Sequence, residues 1–102
     1  MGRPLRIQFE GACYHVANRG RAGADVLGTV EAAQAFVSAL FAACEQAGWR
    51  LHAYALLPGE FHLAVTTPRG NLSEGMHWLQ ATFAGRQVRG GWAAGRQFQG
   101  RY

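Results

Sequence analysis

Glu60 and His62 stand two residues apart in the run Pro58-Gly59-Glu60-Phe61-His62-Leu63. A strand there carries both side chains out of one face, about 6–7 Å apart along the backbone. A carboxylate beside an imidazole is a workable donor set for Mg²⁺, Mn²⁺ or Zn²⁺. Two further imidazoles lie in stretches that alternate like strands, His15 in Cys13-Tyr14-His15-Val16 and His52 in Arg50-Leu51-His52-Ala53. Arg19 follows His15 by four residues and leaves the same face of a strand. Pattern alone leaves a second reading open, in which His15 and His52 are sheet histidines satisfied by their neighbours.

The elements that must position these groups follow from periodicity. Ala12 to Arg19 is a β-branched and aromatic stretch closed by Gly20. Ala33, Phe36, Val37, Leu40, Phe41 and Cys44 recur at the helical period, and Thr29 as N-cap and Gly48 as terminator bound a helix over 29–47. Trp49 to Leu57 reads as a strand with Trp49, Leu51, Ala53, Ala55 and Leu57 on one face and Arg50, His52, Tyr54 and Leu56 on the other. Pro58-Gly59 turns the chain into a further strand, in which Phe61, Leu63 and Val65 alternate with Glu60, His62, Ala64 and Thr66. Asn71 and Glu74 have the spacing of a capping box, and Leu72, Met76, Leu79 and Phe83 mark the buried stripe of a second helix. After the Gly90–Gly95 connection, Arg96 to Tyr102 reads as a short last strand. The order β-α-β-β-α-β predicts an α+β, ferredoxin-like fold: an antiparallel sheet, both helices on one face, first and third strands adjacent. Glu60, His62 and His15 then meet on the face that the helices leave open.

Size and composition bound the rest. A chain of 102 residues, 49% hydrophobic and 16% charged, builds one core and is read as one domain over 1–102. No apolar run reaches membrane-span length, and the start lacks the pattern of a signal peptide, so a cytoplasmic protein without a membrane partner is expected. Cys13 and Cys44 fit no metal spacing and read as packing thiols. The net charge is +4, and all ten basic residues are arginine. Arg86, Arg89, Arg96 and Arg101 cluster after the last acidic residue, Glu74, which favours a polyanionic partner.

Three stretches, RPLRIQFEGACYHVANRG, GWRLHAYALLPGEFHLAVTTPRGNLSEGMHWL and FQGRY, occur in the order found in one known family. Along nearly its whole length the chain resembles the single-tyrosine HUH transposases, REP-associated tyrosine transposases in particular. The resemblance implies single-stranded or hairpin DNA as partner, a divalent metal held on the central strand, and a tyrosine on a later helix as nucleophile. Here Pro58, Phe61 and His62 match the family's strand motif, while Glu60 stands in place of its first histidine and Gly59 in place of its asparagine. Glu60 and His62 are therefore the implied metal ligands, for Mg²⁺ or Mn²⁺ held weakly. His15 and Arg19 match the family's YHVxxRG strand and, with Arg86, Arg89, Arg96 and Arg101, are the candidate DNA contacts. The family's nucleophilic tyrosine lies beyond the FQGRY segment, and Tyr102 matches the tyrosine of that segment, which is not the nucleophile. A truncated, catalytically inactive DNA-binding domain is thus the expectation. The alternative is a non-enzymatic ferredoxin-like module for single-stranded nucleic acid, which normally stacks bases on aromatics of its central strands. The open face, with Tyr54 and Leu56 among its apolar residues, is expected to draw two copies into a homodimer.

Overall fold

A computed structural model describes residues 9–90 and Phe98. The chain runs β1 (Ala12–Arg19), α1 (Val30–Ala47), β2 (Arg50–Leu57), β3 (Glu60–Thr67) and α2 (Leu72–Gly90), with a short 3-10 turn at Arg21–Gly23. The strands form an antiparallel sheet in the order β1-β3-β2. Three antiparallel strands and two helices make the α+β arrangement expected of a ferredoxin-like fold. The last expected strand, residues 96–102, lies outside the described residues except for Phe98, which bridges Gly20 in antiparallel sense.

The burial of β3 alternates without a break. Phe61, Leu63, Val65 and Thr67 are buried, while Glu60, His62, Ala64 and Thr66 are half-buried on the opposite face. Against the buried row pack Phe36 and Leu40 of α1, Val16 of β1, and Leu72, Met76, Leu79 and Phe83 of α2. Rings fill the end of this core: Phe36 lies 4.8 Å from Phe61 and 5.3 Å from Phe83, and Phe98 lies 4.9 Å from Phe61. One wrong register step would expose the whole Phe61-Leu63-Val65 row, so this packing fixes which way Glu60 and His62 point.

Helix α1 begins where the sequence places it, with the Thr29 side chain accepting from the Ala32 amide, and ends at Gly48 in the left-handed region (φ 72°). Its buried stripe is rotated from the expected one. Ala32, Phe36, Ala39, Leu40, Ala43 and Ala47 face inward, whereas Phe41 is 52% exposed. Four alanines let α1 approach its neighbours closely, and that side wins over the bulkier one carrying Val37 and Phe41. On α2, Gly75 is buried against the Trp49 indole, so a residue that weakens the helix by propensity is required by packing. The Asn71 side chain accepts from Trp49 Nε1 at 3.1 Å and donates to the Ala47 carbonyl at 3.0 Å. It thereby ties the start of β2 to the end of α1.

Strand β2 departs from simple alternation. Leu51 pairs with Val65 and Ala53 with Ala64, so His52 is the extra residue of a β-bulge. Beyond it the faces invert. Tyr54 opposes Leu63 and Leu56 opposes Phe61, both on the helix side, while Ala53, Ala55 and Leu57 take the open side. This corrects the expected placement of Tyr54 and Leu56. Tyr54 sets its ring edge-on to Phe41 of α1 at 6.0 Å, and the apolar patch expected to draw two copies together loses its two largest members.

Candidate nucleic-acid interface

The open face is built by strand register. Arg19 opposes Glu60, Ala17 opposes His62 and His15 opposes Ala64 across β1 and β3. His15, Arg19, Glu60 and His62 therefore leave the same face, as the sequence predicts. The end bearing Arg19 and Glu60 is braced by the loop between β1 and α1, where Gly20 N–H donates to the Gly59 carbonyl and Leu27 N–H to the Pro58 carbonyl, both at 2.8 Å. Gly20 is needed there, because a Cβ would run into the Ala24 carbonyl.

Within this frame the polar groups form a chain. His62 Nε2 lies 2.6 Å from Glu60 Oε2, each side chain 34% exposed, and His62 Nδ1 lies 3.0 Å from His15 Nε2. The two imidazoles stack with centroids 5.2 Å apart and planes 14° apart. An ionised carboxylate only accepts, so His62 carries a hydrogen on Nε2; a neutral ring then accepts at Nδ1 from His15, and a protonated one donates there. Arg19 is exposed and has no acidic partner among the described residues; Glu60, opposite it, is taken by His62. Ala17, Asn18, Arg19, Glu60 and His62 line a cleft of about 170 Å³.

The pair Glu60–His62 fits two neighbouring positions on a hard cation. Ligand atoms about 2.1 Å from such an ion in octahedral array are about 3 Å apart, and these donors need to part by a few tenths of an ångström from 2.6 Å, with the hydrogen leaving His62 Nε2 for Nδ1 so that the nitrogen is free to ligate. Among the described residues no group of three or more His, Cys, Asp or Glu side chains is placed to hold a metal ion. A cation here would have two protein ligands.

The remaining candidates are dispersed. Arg86 lies in the helix layer, donating to the Ala35 carbonyl of α1 at 3.2 Å, with the sheet between it and the open face. Arg89 is exposed in the last turn of α2. Arg96 and Arg101 lie outside the described residues. Neither described tyrosine reaches the open face: Tyr14 opposes Val65 and Tyr54 opposes Leu63, both on the helix side. The described strands place no Phe, Tyr or Trp there, which disfavours a base-stacking platform.

Sequence reasoning missed the far end of this face. Arg50 opposes Thr66 on β3, six residues from Glu60 and so about 20 Å from the Arg19 end. Its alternation with Leu51 was legible; its distance from Arg19 on one surface required the register.

These elements define a tyrosine transposase-like fold. It is shared at TM-score 0.79 with a REP-associated tyrosine transposase bound to a REP hairpin, at 17% identity over 99% of this chain and 59% of that one. A Deinococcus radiodurans R1 protein classed with the transposases superposes at TM-score 0.72, with 20% identity over 97% of this chain and 81% of that one. The chain thus spans little more than half the length of the hairpin-bound transposase. No protein-family model and no curated protein matches it.

Proposed function

We propose that the open sheet face is a DNA-binding surface of transposase type that engages single-stranded or hairpin DNA. The observation that carries this reading is the convergence of Arg19, whose guanidinium has no acidic partner among the described residues, on the Glu60–His62–His15 cluster, on a face that neither helix covers. A planar guanidinium suits a phosphate oxygen pair better than a point charge does. Arg50, about 20 Å away, supplies a second phosphate contact, so the strand runs along β3 between the two. The REP hairpin bound by the first fold neighbour supports a nucleic-acid partner.

Glu60 and His62 would hold a Mg²⁺ or Mn²⁺ ion weakly beside Arg19, and such an ion, when bound, polarises a phosphoryl oxygen as a Lewis acid. The described residues bring no tyrosine hydroxyl to this face, so they bind and orient DNA without supplying the nucleophile of covalent chemistry.

Fluorescence anisotropy with a labelled single strand and a labelled hairpin, over a salt series, tests the reading. Each neutralised phosphate of a single strand contributes about −0.7 to the slope of log K against log salt. Arg19→Gln should weaken binding and flatten that slope by about 0.7. Binding that ignores salt, or an Arg19→Gln protein that binds like the parent, refutes it.

A further inference from the structure

At the end of the open face away from Glu60 lies a second group of reactive side chains. Cys13 Sγ is 2.9 Å from Thr66 Oγ1, and Thr66 Oγ1 is 2.7 Å from His52 Nε2. Cys13 opposes Thr66 across β1 and β3, Arg50 opposes Thr66 from β2, and the bulge turns His52 back toward the same hydroxyl. A hydroxyl both donates and accepts. With the His52 hydrogen on Nδ1, Thr66 accepts from the thiol while donating to the imidazole, and an unbroken path then joins Sγ to a base. Cys13 is exposed, which corrects its reading as a packing thiol; Cys44 is half-buried on α1, and burial pushes its thiol up from the ordinary range. The sheet separates the two cysteines, so they cannot join in one disulfide without rearranging the fold.

We propose that Cys13 is a thiol–disulfide exchange site, modified by small disulfides of the glutathione class with Thr66 and His52 as its proton relay. In the step, the Sγ proton moves to Thr66 Oγ1 as the Thr66 hydroxyl proton moves to His52 Nε2. Sγ bonds to one sulfur of the disulfide, and the reagent's own S–S bond breaks. The departing thiolate takes up the proton released from His52. One disulfide is exchanged for another, leaving a mixed disulfide on Cys13 and one small thiol. The adduct stands at the Arg50 end of the open face, on β1 across β3 from Arg50. Its effect on DNA rests on the function proposed above; the exchange itself does not.

Oxidised glutathione is the probe, with acid quenching, intact mass and peptide mapping, and circular dichroism to show that each variant is folded. The parent chain should gain one glutathione on Cys13 while Cys44 stays free. Thr66→Val and His52→Gln should each slow the addition about tenfold or more, and the double variant should be no slower than the slower single one, because both changes cut one relay. Modification of Cys44 at the rate of Cys13 overturns the site. Unchanged rates in either single variant overturn the relay. DNA affinity measured on the purified adduct separates the two readings. Lost affinity supports a redox-gated face, whereas unchanged affinity with Cys13 fully modified removes the gating and contradicts the DNA surface, leaving the exchange site standing.

Discussion

Replacing Gly75 by alanine should destabilise the fold although alanine is the better helix former. A Cβ at position 75 would fall within the Trp49 indole, closest to Cζ2, with Cε2 at 2.6 Å and Cη2 at 2.8 Å. Ordinary carbon contacts need about 3.5 Å or more, so α2 and Trp49 must separate by about an ångström. Trp49 has little room to give, being 6% exposed and held by its Nε1 hydrogen bond to Asn71. Overpacking of this kind costs about 1–3 kcal/mol, and a strained or broken indole hydrogen bond adds about 1 kcal/mol. The helix-propensity gain of alanine over glycine returns about 1 kcal/mol. The net loss is about 2 kcal/mol, a fall in Tm of roughly 8–16 °C for a domain of this size. Gly85, also within α2, is the control. A Cβ there meets only an Arg89 nitrogen at 3.7 Å, so Gly85→Ala should raise stability by about 0.5–1 kcal/mol. Urea denaturation followed by circular dichroism measures both. If Gly75→Ala is as stable as the parent, or both variants shift the same way, the packing of α2 on Trp49 is wrong.

Two other perturbations have defined outcomes. Ala22 sits in the left-handed region (φ 53°, ψ 30°), so Ala22→Gly should stabilise by about 0.5–1 kcal/mol in the same assay, and a loss would mean that the turn is not formed as described. Glu60→His exchanges a hard donor for an imidazole and should shift metal preference from Mg²⁺ or Mn²⁺ toward Zn²⁺; identical calorimetric titrations for the two proteins would remove Glu60 as a ligand.

The open face was legible in the sequence largely because β3 alternates without interruption: Phe61, Leu63 and Val65 dictate by burial that Glu60 and His62 face away from the helices. The bounds of β1 and the caps Thr29 and Gly48 were legible for a similar reason, since local chemistry and tertiary structure agree there. β2 was not. Its sequence alternates well enough to be read straight through, and the bulge at His52 arises from pairing with β3, which no local signal carries. The phase of α1 was misjudged because Val37 and Phe41 outweigh alanines in any reading by side-chain size, whereas the helix packs on its Ala32, Ala39, Ala43 and Ala47 side. Asn71 read as a cap, and Gly75 is by propensity a poor helix former; their roles as Trp49's hydrogen-bond partner and platform depend on a residue more than twenty positions away. The Cys13–Thr66–His52 group went unseen because its members come from three strands.

The central claim is that DNA lies on the open sheet face, and amide chemical-shift mapping by NMR tests it most directly. On titration with a short single strand at low salt, shifts should concentrate at Cys13, His15, Ala17, Arg19, Arg50, Ala53, Ala55, His62 and Ala64. The exposed helix residues Gln34, Phe41, His77 and Val88 should stay in place. Shifts centred on the helix layer around Arg86, with the β1–β3–β2 face silent, would contradict the account.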